Sequence, residues 1–497
     1  MAMHSQVVVL GGGPGGYAAA FLAADLGLEV ALVEADARLG GTCLLRGCIP
    51  SKALLHVAKL ISEAAEMAEW GVEFDKPRLK IDRMRARKEH VIETLSGGLA
   101  QLAKRRSVRV ITARGIFVDS QTLQLEGGNP ETYDSERLTF DHCILATGSV
   151  PAMPKLFKIG SPRVMDSTAA LELADVPDSL LVIGGGYIGL EMGTVYAELG
   201  SAVTVVELLD GLLPGADRDL VKPLEKRLRE KFVAIHLGTK VVELKDAGNK
   251  IDVKMEGPVG NDENRMTNDE TQRSSPDILH SSFDRVLVSI GRRPVTSGIG
   301  LENTKVKVSD RGFVVVNDRQ QTTDPHILAI GDVAGEPMLA HKASHEGKVA
   351  AEVLAGEPAA FEPIAIPAVV FTDPEIAWAG MTVEEAKRSG HEVAVAQYPW
   401  QASGRATAIG RTDGLTKWII DPATDRVLGC GIVGSGAGEL IAEAVVAIEM
   451  GCTMRDVADS IHPHPTLSET MAFAGEVHLG TATEVYRPKR KAQTTEA

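Results

Sequence analysis

An α/β fold with two Rossmann-like dinucleotide-binding domains is predicted by two observations. Gly11-Gly12-Gly13-Pro14-Gly15-Gly16 and Gly184-Gly185-Gly186-Tyr187-Ile188-Gly189 each follow a short apolar run and open a helical one. Each is then followed, at the same distance along the chain, by a second apolar run ending in an acid, Glu34 or Glu207. One glycine motif alone is a weak signal, because glycine turns are common. Two in matched strand, turn, helix, strand and acid settings make coincidence improbable.

In chain order, residues 7–10 read as a buried strand and 17–26 as a helix. Between them Gly11 permits the tight turn, Gly13 lets the backbone approach a pyrophosphate, and Gly16 allows close helix packing. The helix N-terminus then offers unpaired N–H groups to the anion. The strand 30–33 ends in Glu34, a carboxylate able to bind ribose hydroxyls. Residues 81–106 form a helix of mixed charge, and a strand-rich part ends in Cys143-Ile144-Leu145-Ala146-Thr147-Gly148. Residues 180–183 and 202–206 are the strands of the second unit. Glu207 is followed by Leu208, Leu209 and Asp210, without an arginine to meet a 2′-phosphate, which favours NAD over NADP there. The run 327–330 is another buried strand ending in Gly331-Asp332. Taken alone, Asp332 reads as a turn residue or helix cap, the commoner role for such an aspartate. Residues 257–282, rich in Asn, Asp, Glu, Thr and Ser, read as a mobile polar loop.

The chain has 497 residues, 44% apolar and 24% charged, and a net charge of −15. That is ordinary multidomain composition, and the acidic balance argues against nucleic acid as a partner. No apolar run reaches membrane-spanning length, and no signal peptide leads into the first strand, so the expected compartment is the cytoplasm. The basic run at 487–491 reads as a solvated tail.

Two cysteines stand close together in Gly41-Thr42-Cys43-Leu44-Leu45-Arg46-Gly47-Cys48-Ile49-Pro50-Ser51-Lys52. Pro50 suits a first helical turn, which puts Cys48 beside the positive end of a helix dipole, and Lys52 adds a cation one turn on. Both favour thiolate. A zinc half-site or two core cysteines are the alternatives. Zinc lacks ligands here, because Cys143, Cys430 and Cys452 are scattered. In a reducing compartment a close pair is more often catalytic than a staple. Near the C-terminus His462-Pro463-His464-Pro465-Thr466-Leu467-Ser468-Glu469 carries two histidines and a T-x-x-E capping box. The histidines read either as a metal pair or as an acid-base group titrating near neutral pH.

The segments GTCLLRGCIPSKALLHVAK, GGGYIGLE, AIGDVAG, MLAHKASHEGKVAAE, Tyr398-Pro399-Trp400 to Arg405-Ala406, and HPHPTLSE resemble, in this order, the flavoprotein pyridine nucleotide-disulfide oxidoreductases. The resemblance covers nearly the whole chain. It implies FAD-binding residues at 1–150, an NAD domain at 151–283 with the polar insertion, a central part at 284–356 completing the FAD site, and an α+β C-terminal dimerisation domain at 357–497. FAD contacts are then expected from Gly11, Gly13, Gly16, Glu34, Thr42, Lys52, Gly115, Thr147, Gly148, Asp332 and Ala340. NAD contacts are expected from Gly184, Gly186, Ile188, Gly189, Glu191, Glu207, Val241 and Gly291. The resemblance further implies a Cys43–Cys48 disulfide with Cys43 as the exposed interchange sulfur, Glu191 paired with Lys52, His464 as acid-base group oriented by Glu469, and no metal.

The combination of Glu191, Glu207 and the MLAHKA segment points within the family to the branch that oxidises protein-bound dihydrolipoyl groups with NAD. The implied partners are a second copy of the chain and the lipoyl domains of an acyltransferase core or of a glycine cleavage carrier protein. In that scheme His464 comes from the opposite protomer, and Cys48 passes electrons to FAD. A glutathione-type reductase is the nearest rival, opposed by Glu207. A mercuric reductase would want cysteines after Glu469, and none follow. A non-catalytic flavoprotein subunit would have no need of Cys43, Cys48, His464 and Glu469 together. The family usually has asparagine and a small apolar residue where this chain has Leu45 and Arg46, so an extra cation is expected beside the thiols. Pro463, where the family often has alanine, is expected to matter little.

Overall fold

In a computed structural model, which describes residues 3–258 and 277–486, the chain divides into two compact units. One comprises Met1–Leu208 and Gly238–Glu362, the other Leu209–Leu237 and Pro363–Ala497. Residues 209–237 lie within the stretch expected to bind NAD, yet they group with the C-terminal unit.

The first unit opens with β1 (Met3–Leu10), α1 (Pro14–Asp25) and β2 (Val30–Glu34). The helices α2 (Gly41–Arg46), α3 (Cys48–Glu66) and α4 (Ile81–Arg105) follow. Next come β3 (Arg109–Thr112), β4 (Arg114–Asp119), β5 (Thr122–Glu126) and β6 (Arg137–Leu145). These six strands run β3-β2-β1-β6-β5-β4, parallel from β3 to β6 and antiparallel beyond. Parallel pairing buries both faces, which is why β2 is buried at every position and reads as a continuous apolar run.

The second parallel set contains β7 (Val164–Met165), β8 (Ser179–Ile183), β9 (Ala202–Val206) and β13 (Arg285–Val288), with α5 (Tyr187–Glu198) between β8 and β9. Its order is β9-β8-β13-β7. A separate antiparallel sheet joins β10 (Lys240–Asp246), β11 (Ile251–Gly257) and β12 (Asp277–Phe283). The polar loop expected over 257–282 is therefore narrower than its composition suggests. Gly257 pairs with Asp277, and Ser281 and Ser282 belong to a strand whose polar side chains simply face solvent. The remainder of that stretch, like the tail at 487–491, lies outside the described residues.

β14 (Ile327–Ala329) adds to the first sheet beside β6, and α7 (Ala340–Leu354) packs on α1. The two helices approach at glycines: a Cβ on Gly347 would lie 2.5 Å from the carbonyl oxygen of Gly15. This crossing brings Asp332 and Ala340, remote in sequence, to the same cavity as the first glycine turn.

The second unit contains α6 (Arg218–Lys231) and an antiparallel sheet. Its strands are β15 (Ala368–Val370), β16 (Glu375–Gly380), β17 (Ala394–Pro399), β18 (Leu415–Ile420) and β19 (Val427–Gly434). They run β15-β16-β19-β18-β17 and pack against α8 (Ala437–Glu449) and α9 (Glu469–Leu479). Trp400 and Trp418 fill this core, and both indole N–H groups donate, to Thr416 Oγ1 at 2.9 Å and the Met471 carbonyl at 3.0 Å. Trp418 thereby fixes α9 against the sheet.

Candidate active site

The two glycine turns share one local design. Gly11 and Gly184 adopt φ of +112° and +109°, where side chains are disfavoured. A Cβ on Gly16 or Gly189 would collide with the carbonyl oxygen of Gly11 or Gly184. The acids ending β2 and β9 tie these turns down: Gly12 N–H donates to Glu34 Oε2, and Gly185 N–H to Glu207 Oε2, both at 2.6 Å. Glu34 also accepts from Asp36 N–H at 2.8 Å. Burial holds its carboxyl above the usual range, with these backbone donors opposing the shift. Each acid thus fixes its own glycine turn in addition to any contact with a ribose.

A cavity of about 440 Å³ runs along the first turn. It is lined by every residue expected to contact FAD, and also by Ile188 and Glu191 of the second motif, Cys43 and Cys48. Its chemistry fits that cofactor. No acid occupies the first turn of α1, whose N-terminus faces the cavity, while Gly13 and Gly41 come so close that a Cβ on Gly41 would sit 2.6 Å from Gly13 Cα. The remaining NAD candidates lie elsewhere in the unit. Gly291 has φ of +117°, and Val241 is packed in the core against Val206.

Cys48 is the first residue of α3, and both thiols are free. The Cys48 thiol is lowered to about 7, chiefly by a hydrogen bond from Cys43; burial opposes this, Lys52 adds to it and Glu191 opposes it. Cys43 is raised, by that same hydrogen bond and by burial. Cys48 therefore ionises first. Both sulfurs lie on the wall of the cavity.

Lys52 Nζ meets both Glu191 oxygens, at 3.1 and 2.9 Å, and the Glu191 side chain is only 4% exposed. The pair joins α3 to α5 and puts a cation near Cys48. Arg46 was expected to be a second cation there. It lines the same cavity as the two cysteines, and its guanidinium pairs with the carboxylate of Asp36, on the loop after β2.

The sequence reading missed a polar chain on the same cavity. Arg292 Nε donates to Ser149 Oγ at 2.7 Å, its guanidinium also donates to the Ser149 carbonyl at 2.7 Å, and Ser149 Oγ donates to Asp332. Tyr187 lines the cavity too, its phenol pushed up to about 12 by burial, with Arg292 opposing. One signal was available: Tyr187 stands in the second glycine motif where the first has Pro14.

In the second unit, His464 Nδ1 lies 2.8 Å from Glu469 Oε1, and Thr466 N–H donates to Glu469 Oε2 at 2.7 Å. Glu469 thus divides its oxygens between the His464 ring and the Thr466 N–H, and α9 itself begins at Glu469 with Ser468 as its N-cap. The His464 side chain is 78% exposed, whereas His462 is 10% exposed and bonded through both ring nitrogens. Among the described residues, no group of three or more His, Cys, Asp or Glu side chains is arranged to hold a metal ion.

Residues 5–347 match the pyridine nucleotide-disulphide oxidoreductase family, and residues 366–474 its dimerisation domain. The chain belongs to that family. Dihydrolipoyl dehydrogenases from Haemophilus influenzae and Vibrio cholerae are 49% and 47% identical to it, with 98% of each chain covered. Among solved structures, LpdA from Mycobacterium tuberculosis matches with a TM-score of 0.84 at 26% identity, covering 95% of this chain and 99% of that one. The HOCl-induced flavoprotein disulfide reductase RclA from Escherichia coli, as its Cu(II) complex, matches with a TM-score of 0.81 at 28% identity, covering 96% and 99%. The cofactors are FAD and NAD, and the second unit carries a dimerisation domain. No helix among the described residues is long and apolar enough to cross a membrane.

Proposed function

We propose that this chain oxidises protein-bound dihydrolipoyl groups to lipoyl while NAD+ is reduced, as the dehydrogenase component of 2-oxo acid dehydrogenase or glycine cleavage complexes, acting as a homodimer in the cytoplasm. The observation that carries the reading is the hydrogen-bonded Cys43–Cys48 pair on the wall of the FAD-type cavity, with Cys48 at a helix start beside Lys52. The near-full-length likeness to dihydrolipoyl dehydrogenases supports the substrate class.

The protein's own part is proton handling and placement. His464, held at Nδ1 by Glu469, takes the proton of a dihydrolipoyl thiol at Nε2. The thiolate attacks Cys43 Sγ of the Cys43–Cys48 disulfide, and the S–S bond breaks with Cys48 leaving as thiolate. The second substrate thiol, deprotonated in turn, attacks the substrate sulfur of the mixed disulfide. The lipoyl ring closes and Cys43 is released, so one dithiol has been oxidised and one disulfide reduced. Cys48 is suited to leave as thiolate because it stands at the start of α3, one turn from the Lys52 ammonium. FAD, when bound by the Gly11–Gly16 turn, Glu34 and Asp332, supplies the route for the electron pair from a thiolate to NAD+. Lys52 and Glu191 hold α3 and α5 together beside it.

The visible spectrum tests the reading. Anaerobic addition of dihydrolipoamide to the purified holoenzyme should produce a long-wavelength thiolate-to-flavin band, and NAD+ should then yield NADH. A flavin spectrum indifferent to dihydrolipoamide would assign the cysteines to another disulfide.

A further inference from the structure

The histidine that the reaction does not use has the more constrained surroundings. His462 Nδ1 lies 2.8 Å from the Ser460 carbonyl oxygen, and Nε2 lies 2.9 Å from Glu443 Oε1 on α8. Neither partner is a donor. A carbonyl and a carboxylate are both satisfied only if both ring nitrogens carry protons, so this environment selects the imidazolium. His464 contrasts with it: one ring nitrogen faces Glu469, and the other makes no such paired contact with a carboxylate among the described residues.

Three residues separate the His462 anchor from Thr466, and two of them are proline. Proline confines the residue before it to extended backbone, so His462 and His464 both have restricted conformations. Thr466 Oγ1 donates to the Pro463 carbonyl at 2.7 Å, and Thr466 N–H to Glu469. The turn that presents His464 is therefore pinned to α8 on one side, through His462 and Glu443, and to α9 on the other.

We infer that His462 and Glu443 form a charged staple that positions His464 for proton transfer, with His462 held as an imidazolium throughout turnover. The charged groups acting on His462 are Glu443 of α8 and Glu469 of α9. Both raise its proton affinity, the hydrogen bond that Glu443 accepts most of all, while burial opposes them. This role rests on His464 being the acid-base group of the proposed reaction. His462 and Glu443 are positioning residues and touch no substrate.

The test uses holoenzyme carrying His462→Gln or the near-isosteric Glu443→Gln, with two assays on each preparation. Oxidation of dihydrolipoamide by NAD+ needs His464. Electron transfer from NADH to ferricyanide needs FAD and the NAD site but no proton transfer at the dithiol. Both variants should lower kcat for dihydrolipoamide about tenfold or more, since a displacement on the order of 1 Å has effects of that size. KM for NAD+, FAD content and the ferricyanide rate should stay at wild-type values. His462→Lys, which returns a cation facing Glu443, should recover part of kcat. The inference is overturned if kcat is unchanged in both glutamine variants, or if both activities fall in parallel with FAD content. A wild-type enzyme that fails to oxidise dihydrolipoamide would instead overturn the functional reading beneath it.

Discussion

At the scale of single residues, the reactivity of Cys48 follows from three neighbours acting together. The hydrogen bond from Cys43 and the charge of Lys52 lower its thiol to about 7, against burial and Glu191. In reduced enzyme, alkylation of Cys48 by iodoacetamide should therefore rise with pH through a midpoint near 7, well below the value of about 8.5 for an ordinary thiol. Lys52→Met should move that midpoint upward. Peptide mapping of the alkylated site across pH measures both, and a midpoint that ignores the lysine would remove Lys52 from the account. Much of this was legible beforehand, because the cues are local: Cys48 at a helix start, Pro50 in its first turn and Lys52 one turn on all lie within a few residues. The ion pair of Arg46 with Asp36, ten residues earlier on the loop after β2, was not legible, because no local pattern joins the two. Arg292 and Ser149 were invisible for the same reason, their contact spanning 143 residues of chain.

At the scale of elements, the glycine motifs were readable because strand, turn and helix are consecutive and impose their own sterics. That supports a paired prediction. Gly16→Ala would push a Cβ into the Gly11 carbonyl, and Gly189→Ala would do the same at Gly184. The first should purify with little FAD, and the second should keep its FAD but bind NAD+ at least tenfold more weakly. FAD absorbance and NAD+ titration separate the two, and equal loss of both ligands in either variant would contradict the assignment of one motif to each cofactor. The second unit has no comparable motif, and its main electrostatic feature went unread. Lys417 on β18, 1% exposed, meets Asp217 Oδ2 at 2.6 Å and Asp219 Oδ1 at 2.5 Å, at the start of α6. Burial acts to raise Asp217, but the lysine and two backbone donors prevail and lower it. A group whose folded value is depressed contributes stability that is full above its unfolded value, about 4, and is lost as pH falls through the folded one. Lys417→Met should cost about 3–5 kcal/mol by leaving a buried carboxylate without its cation. Chemical denaturation at neutral pH checks this, and the deficit should shrink in acid.

At the scale of the whole molecule, the parts of the proposed reaction are distributed between two units: Cys43, Cys48, Lys52 and Glu191 in the first, His464 and Glu469 in the second. A dimerisation domain that also carries the acid-base histidine gives a reason for dimerisation to be part of catalysis: a proton acceptor fixed on one protomer can serve the disulfide of the other. Two inactive variants decide the matter together. Cys43→Ser removes the attacked sulfur and His464→Ala the base, and each homodimer should be inactive. If each reaction centre draws on both protomers, a mixed dimer of the two variants contains one centre with both lesions and one with neither, and should show about half the activity of wild type. If each centre belonged to a single chain, both centres would carry a lesion and the mixed dimer would be as dead as its parents. Co-expression with two affinity tags, tandem purification and assay with dihydrolipoamide gives the answer, while the ferricyanide rate reports whether the mixed dimer retains working FAD.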